Sequence, residues 1–291
     1  MLFQLNRYVA WILSNKFVQL TGLSTLFSVI YASRQFKINV VIVFMLFALS
    51  NQAVTADNGI LKLTTGAEYT TGDFGGTQSI EEWYVPFTAR YSVDRYIFRL
   101  TVPYIRVTAP TGTVLTDGTV LPGSGTRNTE SGMGDVIAGV TYRDALISET
   151  SSDIALDLTA KVKFGTADVN KGLGTGENDY TFQAELYKYL DRFTPFGILG
   201  YELHGEPSGI DVQDSWLALV GSNYRVSPLL SVGLDFYFHE ALFSGVDDQK
   251  ELTAFFRYKL SKTQYLRGYL IQGFGEGSPD WGVGVLITFR Q

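Results

Sequence analysis

The side chains best suited to bond-making are few, and their spacing does not assemble a reaction centre. In 291 residues there are two histidines, His204 and His239, and no cysteine. That excludes disulfides, thiolate metal sites and a cysteine nucleophile. Each histidine closes a run of alternating apolar residues, beside Gly205-Glu206 and beside Glu240. Acid–base work or metal binding requires partners that converge on the ring nitrogens. Ser208 follows His204 in a loop and Ser231 lies a strand's length before His239, so neither makes a nucleophile–base pair. Gly172-Leu173-Gly174-Thr175-Gly176 superficially resembles a phosphate cradle, but no helix follows it and no Gly-Lys-Ser/Thr is present. It reads as a flexible outer loop whose glycines supply turns. No catalytic residue, cofactor or metal is expected.

Charged residues carry the remaining chemistry, and they recur at every second position. Asp157, Lys161 and Lys163 share one run, and Glu251, Arg257 and Lys259 share another. Glu82, Arg99, Asp135, Arg143, Glu185 and Asp235 hold equivalent positions elsewhere. Both signs on one face either set selectivity along a watery path or pair across strands and fill the space. Tyr187, Tyr189 and Tyr237 on the same register could stack an aromatic solute, and filling space explains them equally well.

The elements that must present these residues have a period of two. Ile154, Leu156, Leu158, Ala160, Val162 and Phe164 alternate with mostly polar neighbours, and Leu230 to Phe238 and Leu252 to Leu260 do the same. The rule predicts twelve strands, near 60–70, 80–92, 94–107, 133–144, 153–164, 178–190, 193–204, 212–225, 229–240, 250–260, 264–274 and 281–290. The inside face is ambiguous for 212–225 and 264–274. Tight turns at Asp94, Asp191-Arg192, Ser227-Pro228 and Ser261-Lys262 alternate with longer connections, 106–132 the longest, while 145–152 is longer than the other turns. Strands of a soluble sandwich run to about five or six residues, whereas tilted strands of about 9–11 cross a bilayer.

An even-numbered antiparallel up-and-down barrel with short turns at one end and long loops at the other is the outer-membrane solution, and its closure leaves no backbone group unpaired in lipid. The fold class is therefore all-β, a transmembrane barrel of about twelve strands. Trp83, Tyr91, Tyr96, Tyr104, Tyr142, Tyr180, Phe238, Tyr258 and Phe289 fall near strand ends on the apolar register, as interfacial girdles do. The last strand resembles an assembly signal ending on Phe289, although Arg290-Gln291 follow.

Residues 1–56 differ in kind, with Arg7, Lys16, Arg34 and Lys37 and no acidic residue. Lys37, the apolar run 38–49 and the small residues Val54 and Ala56 make a secretory signal pattern, with cleavage expected after Ala56. The alternative is a membrane anchor, for which the run is short. Residues 57–291 carry 19 Lys or Arg against 29 Asp or Glu, a formal charge of −10, which disfavours nucleic acid as a partner.

Three stretches carry a resemblance: Ser131-Gly132-Met133-Gly134-Asp135-Val136 with Gly139 and Tyr142-Arg143; Lys163-Phe164-Gly165-Thr166 with 172–176 and Asp179-Tyr180; and Leu186-Tyr187-Lys188 with Thr194-Pro195-Phe196 and Gly200-Tyr201. They resemble the outer-membrane transporter family named after the MetA pathway of phenol degradation. Phe164-Gly165-Thr166 stands where that family often shows Pro-Thr-Gly. The resemblance implies a Gram-negative outer-membrane barrel that passes small aromatic or hydrophobic compounds. The expected function is accordingly a channel or facilitator for such molecules. The expected partners are outer-membrane lipid, small solutes and, through the C-terminal strand, the assembly machinery. The alternative is a non-transporting barrel that binds through its outer loops; a lipid-active enzyme is a remote third.

Overall fold

The computed structural model describes residues 59–116, 120–145, 153–209 and 211–291. The expected N-terminal signal with its expected cleavage point lies outside them, as does most of the 145–152 connection.

The described chain is built of strands: β1 (Ile60–Gly72), β2 (Ile80–Val93), β3 (Tyr96–Pro110), β4 (Val114–Leu115), β5 (Val120–Leu121), β6 (Arg127–Met133), β7 (Val136–Tyr142), β8 (Ile154–Phe164), β9 (Asp179–Lys188), β10 (Phe193–Leu203), β11 (Ser215–Arg225), β12 (Leu230–His239), β13 (Gln249–Lys259), β14 (Gln264–Gly273) and β15 (Trp281–Arg290). β4 and β5 form a small separate hairpin. β6 and β7 follow one another along β3 and make a single stave, so twelve antiparallel staves close into a barrel, the first pairing with both the second and the last. No helix among the described residues could cross a membrane. The crossing elements are strands.

Alternation sorts the side chains as expected. Leu199, Val220 and Leu270 are 55%, 64% and 61% exposed on the outer wall, where lipid replaces water as the apolar partner. Threonines of three seams and the charges that line the lumen cavities face inward. Outer aromatics gather at the two ends, with Tyr69 against both Trp83 and Trp281 at 5.0 and 5.5 Å, and Tyr96 against Tyr142 at 5.4 Å. The tight turns place Asp94 and Asp191 at φ of 50° and 47°, a conformation that aspartate tolerates better than most residues.

One expectation is corrected. The fourth stave begins at Arg127 rather than near 133, and the third runs to Pro110, so much of the supposed 106–132 loop is paired strand. Arg127–Met133 has no apolar alternation because it extends past the apolar band, and its inner side meets the docked loop, with Lys171 donating to the Ser131 carbonyl at 3.1 Å. The interruption at Gly134-Asp135 is a bulge: Tyr104 pairs with Met133 but Thr101 with Ile137, one extra residue on the second strand. Pro103 sits opposite and has no N–H to give, while its carbonyl accepts from Gly134 N–H at 3.0 Å. The bulge flips the register and turns Asp135 inward.

The buried apolar cluster lies at the loop end. Leu115, Val120 and Leu173 fold in from the β3–β6 and β8–β9 connections, together with Phe74, onto Ile80, Ile105, Val107 and Ala109 of the wall. Gly172 makes this possible. Its φ is +68°, a Cβ there would lie 2.2 Å from the Thr113 carbonyl oxygen, and its own carbonyl accepts from Leu115 N–H at 3.0 Å. The glycine-rich segment thus docks into the mouth instead of standing out as a flexible loop.

Candidate functional site

Below the docked loops the lumen holds two cavities of opposite character. The loop-end chamber, about 280 Å³, is lined by Glu68, Glu82, Asp135 and Glu251, with Lys163 as its one cation among the described residues. The turn-end chamber, about 830 Å³, is lined by six cations, Lys62, Arg90, Arg99, Lys161, Arg257 and Arg267, and by no carboxylate. Tyr84 and Ile137 line both and mark the boundary between them.

The wall of the lower chamber is polar by construction. Threonines pair across three seams: Thr64 with Thr288 at 2.8 Å, Thr88 with Thr101 at 2.9 Å and Thr141 with Thr159 at 2.8 Å. Its cations are set against one another. Arg90 is directly opposite Arg99 across β2–β3 and Lys62 across β1–β2, and Arg257 is directly opposite Arg267 across β13–β14. None of the six forms an ion pair among the described residues. Like charges directly opposite destabilise a sheet, so this arrangement holds only where water or an anion enters the lumen. Above it, Arg267 lies 5.0 Å over the Phe255 ring and 5.1 Å over that of Tyr269, whose hydroxyl donates to Glu68.

The sequence-derived lumen residues divide three ways. Arg99, Lys161 and Arg257 line the basic chamber, and Glu82, Asp135, Lys163 and Glu251 line the acidic one. Arg143, Asp157, Glu185, Asp235 and Lys259 line neither. Arg143 donates to the Asp94 carbonyl at a turn, and Asp157 accepts from Asp144 N–H at 3.0 Å. Glu185 is tied into the wall by Thr159 at 3.2 Å, Gln183 at 2.7 Å and Tyr187 at 2.5 Å. Of the three tyrosines, Tyr189 is 54% exposed beyond its strand and Tyr237 is stacked on His239 at 6.1 Å, and neither lines a chamber. Lys62, Glu68, Arg90 and Arg267 were missed. The first three lie on alternating positions of strands that were expected, and the fourth on a strand whose inside face was ambiguous.

The histidines also meet a serine other than those weighed from sequence. Ser215 Oγ lies 3.1 Å from Nε2 of both His204 and His239. It is wholly buried, and neither chamber includes it.

Residues 50–290 match the family described as the MetA-pathway of phenol degradation. The chain belongs to that family. Among solved structures, it resembles an outer membrane channel from Pseudomonas putida F1 with a TM-score of 0.62 at 13% identity, over 82% of this chain and 100% of the channel. It also resembles the NanC porin, with a TM-score of 0.51 at 8% identity, over 78% of this chain and 98% of the porin. At these identities the likeness is one of fold, that of an outer-membrane β-barrel. No curated protein matches the chain.

Proposed function

We propose that the chain is a Gram-negative outer-membrane channel for small aromatic or hydrophobic molecules, and that it favours those carrying a negative charge. The observation that carries this reading is the turn-end chamber: about 830 Å³ inside a closed barrel, with six cations and no carboxylate. That volume suits a small organic molecule. Cations crowded in a narrow lumen raise the local anion concentration and set charge selectivity. Family membership supports an aromatic body for the cargo. With the tight turns on the periplasmic side, as in other barrels of this kind, the basic chamber draws an anion inward from the acidic one. The signal peptide delivers the chain to the periplasm, and the C-terminal strand engages the assembly machinery.

The loops argue against a barrel that works by presenting apolar tips to a partner. Leu115, Val120 and Leu173 are spent on the mouth, and Leu121 packs with Val212, Leu242 and Phe243 of other loops.

Uptake into liposomes tests the channel. The folded barrel, verified by heat-dependent gel mobility, should pass benzoate-like anions faster than phenol and phenol faster than a sugar. No uptake above empty liposomes from a folded barrel would overturn the reading.

A further inference from the structure

We propose that Glu202, His204 and His239 form a divalent-cation site, suited to Zn²⁺, that staples the loop end of the wall. Glu202 is on β10, His204 follows that strand directly, and His239 ends β12, so the three close over the start of β11. One donor atom from each lies within 4.8 Å of the other two. His239 Nε2 is 3.1 Å and His204 Nε2 3.7 Å from the same oxygen, Glu202 Oε2. Zinc holds nitrogen and oxygen ligands at about 2.0–2.2 Å in a tetrahedron, which puts neighbouring donors about 3.3–3.5 Å apart. The observed separations straddle that value. Ser215 Oγ, 3.1 Å from both ring nitrogens, stands at the fourth corner.

The surroundings prepare two of the donors, His204 and Glu202, as outer partners of a metal site do. Asp179 Oδ2 lies 3.4 Å from His204 Nδ1, so that side of the ring faces a carboxylate and Nε2 is the nitrogen turned to the cluster. Asp179 is itself fixed by Lys163 at 2.5 Å and by Gly205 N–H at 3.0 Å. Thr181 donates to Glu202 Oε1 at 2.9 Å, leaving Oε2 for the ion. Charge points the same way. Asp135 and Asp179 share one ammonium, Lys163, while the buried Glu202 meets the two histidines, so with neutral imidazoles the three carboxylates are short by two positive charges. Buried unbalanced charge is costly, and one divalent cation supplies the difference. Ser215, His204 and Asp179 also stand in the order of nucleophile, base and orienting acid, but a serine without accessible surface meets no substrate, and a structural ion needs none.

The test uses protein extracted from outer membranes of cells expressing the full chain without a histidine tag. After treatment with EDTA it is titrated with Zn²⁺ against a chromophoric chelator, and separately with Co²⁺, whose visible bands report tetrahedral nitrogen–oxygen ligation. The expected result is one Zn²⁺ per barrel and a higher temperature for loss of the folded gel mobility. His239→Gln and Glu202→Gln should weaken binding about tenfold or more. No stoichiometric binding by the folded wild-type barrel would overturn the site, as would undiminished binding in a folded His204→Ala/His239→Ala variant. The wild-type titration decides even where a variant fails to fold. It reads no transport, so its outcome stands apart from that of the channel.

Discussion

Lys163 and Asp179 face each other across the β8–β9 seam, with the ammonium 2.5 Å from the carboxylate and both side chains almost fully buried. Asp135, delivered by the bulge, approaches the same ammonium at 3.6 Å. Lys163→Met leaves two buried carboxylates without that cation, and breaking a buried pair costs about 3–5 kcal/mol. Urea-dependent loss of folded mobility should therefore come at markedly lower urea. The double variant Lys163→Met/Asp179→Asn should lose less than the sum of the two single changes.

The opposed arginines predict a trade between stability and selectivity. Arg99→Thr removes one member of a directly opposed like-charge pair, and relief of such a pair is worth about 0.2–1 kcal/mol. The variant should resist urea slightly better than the wild type. Its reversal potential across a salt gradient in planar bilayers should shift toward weaker anion preference. Unchanged selectivity would remove the chamber's cations from the mechanism.

Gly172→Val adds a β-branched side chain at a positive φ and drives its Cβ into the Thr113 carbonyl. The loop must then leave the mouth. Conductance should rise, and protease added to intact cells should cut within 165–178 when the wild type resists. Wild-type conductance and wild-type protection would show that the docked loop does not limit entry.

The leader makes a plain prediction. N-terminal sequencing of the protein recovered from outer membranes should begin at Asp57. A longer N-terminus retaining residues 38–49 would instead favour a membrane anchor.

Strand count, direction and facing were legible because a bilayer wall imposes one rule on every stave: apolar outside, polar inside, period two. Where that rule lapses, so does the reading. Arg127–Met133 lies beyond the apolar band and shows no alternation, and the docking of Leu173 depends on a loop conformation that no periodicity records. Seven of the twelve candidate lumen residues line a chamber, and the division into two chambers was not legible, because height along the lumen depends on strand stagger. That stagger sets Lys62 opposite Arg90 and Arg290, and it brings Glu202, His204, Ser215 and His239 together from three strands. Ser215 could not be matched to His204 from spacing, since the contact crosses a seam.

Pro86 stands directly opposite Pro103 across β2–β3. Neither has an N–H, and the neighbouring seams show it: pairing of β1 with β2 lapses at Gly66 and Ala67, and that of β3 with the fourth stave lapses at the bulge. Two lapses thus stand at one height, on either side of the unbroken β2–β3 seam, beside Tyr84 and Ile137, where the two chambers meet. A cylinder laced evenly by hydrogen bonds is stiff all round. This one is laced unevenly, and its sparsely bonded panel lies at the boundary between the two chambers.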